Sequence, residues 1–263
     1  MPRATMREEG RTVQATIKGS TLPVLEMVLD PGERVVSDHG ELSWMTANMQ
    51  MSQSATAGAQ GGGLMAGLKR VVGGGSLLLT RYEATGGQGM VAFAAKLPGH
   101  IFPLQVSAGN GYLVHRHGWL CGTEGITPTV GFQQSLGGML FGGEGFVLQR
   151  LEGEGTAWVE LSGEVTTYEL GPGQRLLVHP GHVGVFQETV NFRVMRVPGI
   201  ANRYFGADGH WLVDLTGPGK VWLQSMPLPI LAAALRPFLG ESAVGDAAVG
   251  GAAGGILGGI LRS

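Results

Sequence analysis

A strand-turn-strand pattern occurs three times along this 263-residue sequence. In each copy two short apolar stretches flank a Gly-x-Gly turn, at residues 77–94, 146–160 and 211–224. Upstream of each copy a glycine or asparagine, an apolar pair and a second glycine recur: Gly32, Val35, Val36 and Gly40; Asn110, Leu113, Val114 and Gly118; Gly173, Leu176, Leu177 and Gly181. A repeat of about 65 residues, longer in the first copy, predicts three related β-modules.

The repeat divides the chain into modules at residues 13–98, 99–163 and 164–226. Short apolar stretches between Gly and Pro turn signals are typical of sandwich or barrel-like β-structure. The first module carries a Gly-rich insertion at 51–75, expected to be a flexible loop. Residues 227–240 are predicted to hold one short helix, and 241–263 a flexible Gly/Ala-rich tail. The fold class is therefore predicted as all-β with one short C-terminal helix.

Composition favours an oligomer without nucleic acid. Charged residues are only 14% of the chain, so part of its surface is expected to be covered by other subunits. The formal charge of -2 gives no general attraction to nucleic acid or anionic lipid. Cys121 is the only cysteine and the N-terminal residues lack an apolar core. These features predict a reducing compartment, with the cytoplasm as the expected location.

The sharpest chemical candidate is a pair of histidines, His115 and His117, followed by Glu124. Residues two apart on a strand share a face, so both imidazoles could bind one metal ion. The spacing approaches the first motif of the cupin family. However, six residues separate His117 from Glu124 rather than three or four, and no second motif supplies a third histidine. Turn histidines in contact with solvent are the favoured interpretation, and a degenerate cupin-like metal enzyme is the alternative.

Other catalytic patterns are weak, so no enzyme activity and no cofactor are predicted. The glycine clusters precede strands, whereas a phosphate loop must open into a helix. No Gly-x-Ser-x-Gly elbow occurs, and Cys121 lies in an apolar stretch. Trp158 and Trp222 each follow their Gly-x-Gly turn by three residues, where the first module has Ala92. This equivalence favours a core or module-contact role over stacking on a ligand.

Several longer stretches resemble the "altered inheritance of mitochondria" proteins of mitochondrial biogenesis and their bacterial homologues of unknown function. The stretches that carry the resemblance are residues 67–70 with 76–81, 95–99, 140–146 and 217–227. The resemblance covers about residues 20 to 235. It implies a TRAP-like fold, a shortened double-stranded β-helix repeated in each chain, and assembly of such modules into rings. Three modules in each of three chains would then form a pseudo-ninefold ring. The family carries no established catalytic residues, so none is transferred.

The leading hypothesis is a non-catalytic, self-assembling β-protein, a homotrimer that acts as a scaffold or as a membrane-proximal organiser. Its C-terminal tail is expected to make peripheral membrane or protein contacts, and no nucleic acid partner is expected. The alternative from the binding class is a ring protein that holds a small apolar ligand in clefts near Trp158 and Trp222.

Overall fold

The computed structural model describes residues 13–55, 78–134, 145–196, 211–235 and 238. These residues contain nineteen strands and one α-helix, α1, at Leu228–Leu235. In chain order the strands are β1 Gln14–Lys18, β2 Val24–Leu29, β3 Arg34–Asp38, β4 Trp44–Met45, β5 Met49–Ala55, β6 Leu78–Ala84, β7 Gly89–Ala94, β8 Gly99–Val106, β9 Tyr112–His115, β10 Trp119–Thr123, β11 Ile126–Gln134, β12 Phe146–Gly153, β13 Gly155–Ser162, β14 Val165–Leu170, β15 Arg175–Val178, β16 Val183–Gln187, β17 Asn191–Arg196, β18 Trp211–Thr216 and β19 Gly219–Gln224. The predicted all-β class with one short helix is confirmed.

The strands form four antiparallel sheets. The first sheet has the order β1-β2-β7-β4, the second β5-β6-β3-β10-β13-β8, the third β11-β12-β9-β16-β19-β14 and the fourth β15-β18-β17. Each repeat contributes six strands: β2 to β7 form module 1, β8 to β13 module 2 and β14 to β19 module 3, with β1 as an additional edge strand. Consecutive modules therefore share a sheet, because the second sheet takes three strands from each of modules 1 and 2, and the third from modules 2 and 3.

Three hydrophobic cores lie between consecutive sheets. The first core includes Leu25 and Phe93 from the first sheet and Tyr82 from the second. The second core joins the second and third sheets, and the third core joins the third and fourth. Because successive side chains of a strand point to opposite faces, a shared sheet supplies apolar residues to two cores. Val35 and Val36 illustrate this, since Val35 lies in the first core and Val36 in the second.

The Gly-x-Gly turns are corners between sheets, which the sequence pattern alone did not distinguish from hairpins. Strands β12 and β13 flank one such turn, yet β12 belongs to the third sheet and β13 to the second. Gly153 has a φ of 103° and Gly155 a φ of 138°, a region that L side chains rarely adopt. A Cβ atom on Gly153 would lie 1.9 Å from the carbonyl oxygen of Gly125. Glycine is needed at this corner for both reasons.

One boundary differs from the sequence-based expectation. The segment 51–75 was expected to be a loop from its first residue, but β5 runs through Met49–Ala55 and pairs with β6 along its length. The remainder of the insertion, from residue 56 onward, lies outside the described residues, as does the C-terminal tail at 241–263. The helix predicted within 227–240 is present as α1.

Candidate functional site: the joints between modules and the edges left open

Modules 1 and 2 are joined by direct pairing of β3 with β10. Cys121 lies opposite Ser37, and Gly122 opposite Val36. Cys121 and Ser37 are fully buried, and Val36 is 3% exposed. Burial raises the pKa of the Cys121 thiol well above its usual range. The cysteine is therefore a structural part of this joint.

Modules 2 and 3 repeat the same joint between β9 and β16. Val185 lies opposite Val114, and Phe186 opposite Leu113. All four side chains are buried, Leu113 to 4% exposure and Val114 completely. Leu113 enters the third core, just as Val36 enters the second. The strand pairing thus matches Val36 with Leu113, whereas glycine spacing in the sequence had matched it with Val114.

Trp158 and Trp222 are the side chains that cross these joints. Trp158 of module 2 is 6% exposed and packs in the first core, which module 1 builds. Trp222 of module 3 packs at the edge of the second core, where its ring lies 6.3 Å from that of Phe102 and 6.0 Å from that of Tyr112. The Lys220 ammonium lies 5.7 Å from the Trp222 ring. The two tryptophans occupy separate cores and do not line a common cleft.

Each tryptophan has a smaller residue directly across the sheet. Cys121 of β10 lies opposite Trp158, and Val185 of β16 lies opposite Trp222. Module 1 reverses the arrangement, because the small residue, Ala92, is on β7 and the tryptophan, Trp44, lies opposite it on β4. One indole is therefore present in each equivalent pair. Trp44 is 46% exposed, in contrast to buried Trp158.

An ion pair spans each joint. Glu124 of module 2 lies 3.4 Å from Arg34 and 3.5 Å from Arg81 of module 1, and Arg150 of module 2 lies 2.9 Å from Glu188 of module 3. Such solvent-exposed pairs contribute little net stability, because water and salt screen them. They help to fix the register of the joint more than its strength.

The three candidate metal ligands are not brought together. His115 ends β9, and its Nε2 is buried without a hydrogen-bond partner among the described residues. Burial, together with the nearby His117, lowers the pKa of His115 to about 4. His117 lies in the exposed turn after β9, and the Glu124 carboxylate faces Arg34 and Arg81. Within the described ranges, no group of three or more His, Cys, Asp or Glu side chains could hold a metal ion.

Sequence reasoning missed a polar cluster at the linker between modules 1 and 2, in which two largely buried carboxylates face an exposed lysine. Lys96 donates a hydrogen bond to Glu41, and its ammonium lies 3.6 Å from Glu160. The Lys96 backbone N–H also donates to Glu160 at 3.3 Å. Burial raises the pKa of both carboxyl groups, and Lys96 opposes that change. The linker between modules 2 and 3 has an equivalent contact, in which the Gln224 side chain accepts a hydrogen bond from the backbone N–H of Ser162 at 3.1 Å.

The two side chains that accept hydrogen bonds from the linkers share a position in the sequence repeat. Glu160 and Gln224 each follow the second glycine of their Gly-x-Gly turn by five residues. A polar residue recurring in an otherwise apolar strand, just before each linker, marks the position.

The two outer edges of the array lack a partner of the kind found at the joints. Among the described residues, β4 pairs only with β7, and β15 pairs only with β18. Leu177 of β15 corresponds to Val36 and Leu113, yet it is 52% exposed. Trp44 and Leu177, which sequence reasoning did not propose as functional residues, are therefore apolar side chains at these unmatched edges. The repeat itself could have pointed to them, because three modules in a row form only two internal joints and leave one unmatched strand at each outer edge.

A cavity of about 350 Å³ opens beside β15 in module 3. Thr166 of β14, Leu176 and Val178 of β15, and Leu223 of β19 contribute to its wall, together with His179 and His182. The two imidazole rings lie 5.8 Å apart, and the Nδ1 atom of His182 is 2.7 Å from the carbonyl oxygen of Gln224. Burial, with a further effect of His182, lowers the pKa of His179.

Helix α1, the described α-helix, is too short to cross a bilayer, and no helix in the described part of the chain meets that requirement.

Comparison with known proteins places the chain among relatives of undefined activity. A sequence model described as Mitochondrial biogenesis AIM24 matches residues 15–226. An uncharacterized protein of Streptococcus pyogenes is 24% identical over 223 residues, which are 84% of this chain and 88% of the relative. A crystal structure of a Streptococcus pyogenes protein superposes with a TM-score of 0.68 at 21% identity, covering 86% of this chain and 100% of the other. That structure supports the fold.

Proposed function

The chain belongs to the mitochondrial biogenesis AIM24 family, and we propose that it is a non-catalytic scaffold whose copies assemble head to tail. In this assembly β15 of one copy pairs with β4 of the next. The observation that carries the proposal is the joint itself. It occurs twice within the chain, and among the described residues β4 at one outer edge and β15 at the other each present one unmatched half of it. A heterologous contact of this kind uses two different surfaces and therefore propagates from copy to copy.

The internal joints define the register of the intermolecular one. The internal joints contain the equivalent pairs Cys121↔Ser37 and Val185↔Val114. On β4 the position of Cys121 and Val185 is taken by Trp44, and on β15 the position of Ser37 and Val114 is taken by Val178. Val178 of one copy would then lie opposite Trp44 of the next, and Leu177 opposite Met45. The fourth sheet of one copy and the first sheet of the next would form one continuous seven-stranded sheet.

Burial supplies the driving force for this contact. Leu177 would go from 52% exposure to the few per cent seen for Val36 and Leu113. Burying half of a leucine side chain stabilises by about 1 kcal/mol, and Trp44 adds a comparable or larger amount. Pairing also satisfies the backbone groups of two edge strands, which otherwise remain a template for indiscriminate association.

We propose a closed trimer, in which three copies of three modules form the pseudo-ninefold ring that a TRAP-like fold implies. Heterologous contacts give a ring when the rotation per copy closes, and an open filament otherwise. The native particle would then have three times the 27.4 kDa mass of the chain.

The test is the mass of the native particle, by light scattering, for the wild-type chain and two charge variants. Leu177→Lys places an ammonium in the intermolecular joint, where burying an unpaired charge costs several kcal/mol. We expect it to yield single folded chains. Met51→Lys is the matched control, because Met51 is equally exposed, at 51%, but lies on β5, which pairs with β6 and with neither β4 nor β15. It should keep the wild-type mass; an unchanged mass for Leu177→Lys would contradict the proposal.

A further inference from the structure

We propose that the module 3 cavity is the receptor for the Trp44 indole of a second copy. This inference rests on the head-to-tail assembly proposed above, and it assigns an occupant to the cavity beside the pairing strand β15. Its basis is the way in which the other two modules fill the equivalent space.

In module 2 the equivalent space holds an indole. Trp222 packs against Phe102 and Tyr112, in a stacked arrangement with Phe102 at an interplanar angle of 23°. Phe102 lies four residues before Val106, and Val106 pairs with Gly155 at the start of β13. In module 3, Thr166 likewise lies four residues before Leu170, and Leu170 pairs with Gly219 at the start of β19. Thr166 is thus the counterpart of Phe102.

Leu176 is likewise the counterpart of Tyr112. Each is the residue of its strand that faces the core of its own module, opposite Leu215 and Leu151 respectively. Thr166 and Leu176 both line the module 3 cavity. The counterparts of the walls that hold Trp222 in module 2 therefore surround, among the described residues, open space in module 3.

Module 1 follows the same rule. Trp158 of module 2 lies in the first core together with Leu25 and Val35, which are the module 1 counterparts of Phe102 and Tyr112. In both cases the indole comes from the module that follows. Module 3 is the last module among the described residues, so an indole delivered in the same way comes from another copy.

Trp44 is the indole available to fill it. It stands in the cross-strand pair that contains Trp158 and Trp222 in the other modules, on the outer face of the first sheet, and it is 46% exposed. In the register derived from the joints, Trp44 lies opposite Val178, and Val178 lines the cavity. The strand register and the position of the cavity therefore independently place Trp44 beside Val178.

The cavity also suits the polar end of an indole. The carbonyl oxygen of Gln224 can only accept, so the Nδ1 atom of His182 that faces it at 2.7 Å carries the proton. In the tautomer with the proton on Nδ1, the Nε2 atom of His182 is an acceptor. A buried indole N–H normally finds such a partner.

The experiment measures the association of full-length chains by sedimentation over a range of concentrations. Trp44→Ala should weaken association roughly 10- to 100-fold, because truncating a central buried aromatic anchor has an effect of that size. Trp44→Phe should recover part of the loss. Met51→Ala, on β5, is the control and should match the wild type, and far-ultraviolet circular dichroism should show every variant folded.

A second variant tests the cavity itself. Thr166→Trp fills the space from its wall and should weaken association of the wild-type chain, but should not weaken Trp44→Ala further, since both changes remove the same contact. Additive effects would overturn the assignment of Trp44 to this cavity. If the wild type associates and Trp44→Ala associates equally strongly, this inference alone is overturned. Single chains for the wild type at every concentration would overturn the assembly proposal as well.

Discussion

His115 is expected to make the fold acid-sensitive, and substituting it should remove a defined part of that sensitivity. Burial disfavours the charged form of the ring, with a further effect of His117, and lowers its pKa from 6.5 to about 4. His115→Gln keeps a neutral polar side chain of similar size but cannot take up a proton in this range. His39→Gln, at an exposed position in the corresponding turn of module 1, is the matched control.

The sign follows from the two protonation equilibria. Between pH 6.5 and pH 4 the unfolded chain binds a proton at His115 that the folded chain excludes. The stability that depends on the neutral ring is complete above pH 6.5 and is lost as the pH falls toward 4. The full difference is about 3 kcal/mol, of which about 2 kcal/mol is lost by pH 5. Glu41 and Glu160 act in the opposite direction, because their pKa values are raised in the folded chain.

Urea denaturation at pH 7.5 and pH 5 measures the effect. The wild type should lose about 2 kcal/mol more than His115→Gln between the two pH values. Comparing differences cancels the contribution of the carboxyl groups, which both chains share. His39→Gln should behave as the wild type. Equal losses in the wild type and His115→Gln would refute the conclusion that His115 is buried in its neutral form.

Three further outcomes are expected. Trp158→Ala should destabilise the chain by about 3–5 kcal/mol and Trp222→Ala by less, because Trp222 is only partly buried, as denaturant titration would show. Gly153→Ala should lower the melting temperature more than Gly173→Ala; both have positive φ, but only at Gly153 does a Cβ meet backbone oxygen. Cys121 should react with a thiol reagent only after unfolding; rapid alkylation of the native protein would contradict its burial.

The repeat made the architecture predictable from sequence. Period, turn signals and apolar stretches together indicated three β-modules, and the resemblance to a family placed the chain correctly. The course of each Gly-x-Gly turn was not predictable, because the same glycines serve a hairpin within one sheet and a corner between two. Only the pairing of β12 with β9 and of β13 with β8 distinguishes the corner.

The candidate site was less accessible for a specific reason. Trp158 and Trp222 stood out because they share a position, whereas Trp44 occupies the facing strand, and its equivalence appears only when cross-strand pairs are compared. The metal-site hypothesis likewise depended on Glu124 facing the histidines. Long-range pairing directs that carboxylate toward Arg34 and Arg81, and a spacing pattern carries no information on such partners.

The central claim, pairing of β15 with β4 of the next copy, is tested most directly by cysteine cross-linking. Leu177→Cys and Met45→Cys are placed in separate chains that are co-expressed with different tags; opposed residues of an antiparallel pair lie about 4.5–5.5 Å apart at Cα, within disulfide range. The native Cys121 is fully buried. The account predicts disulfide-linked dimers between the two variants and none within either variant alone. A particle of several chains without that cross-link, or a native particle of one chain, would contradict it.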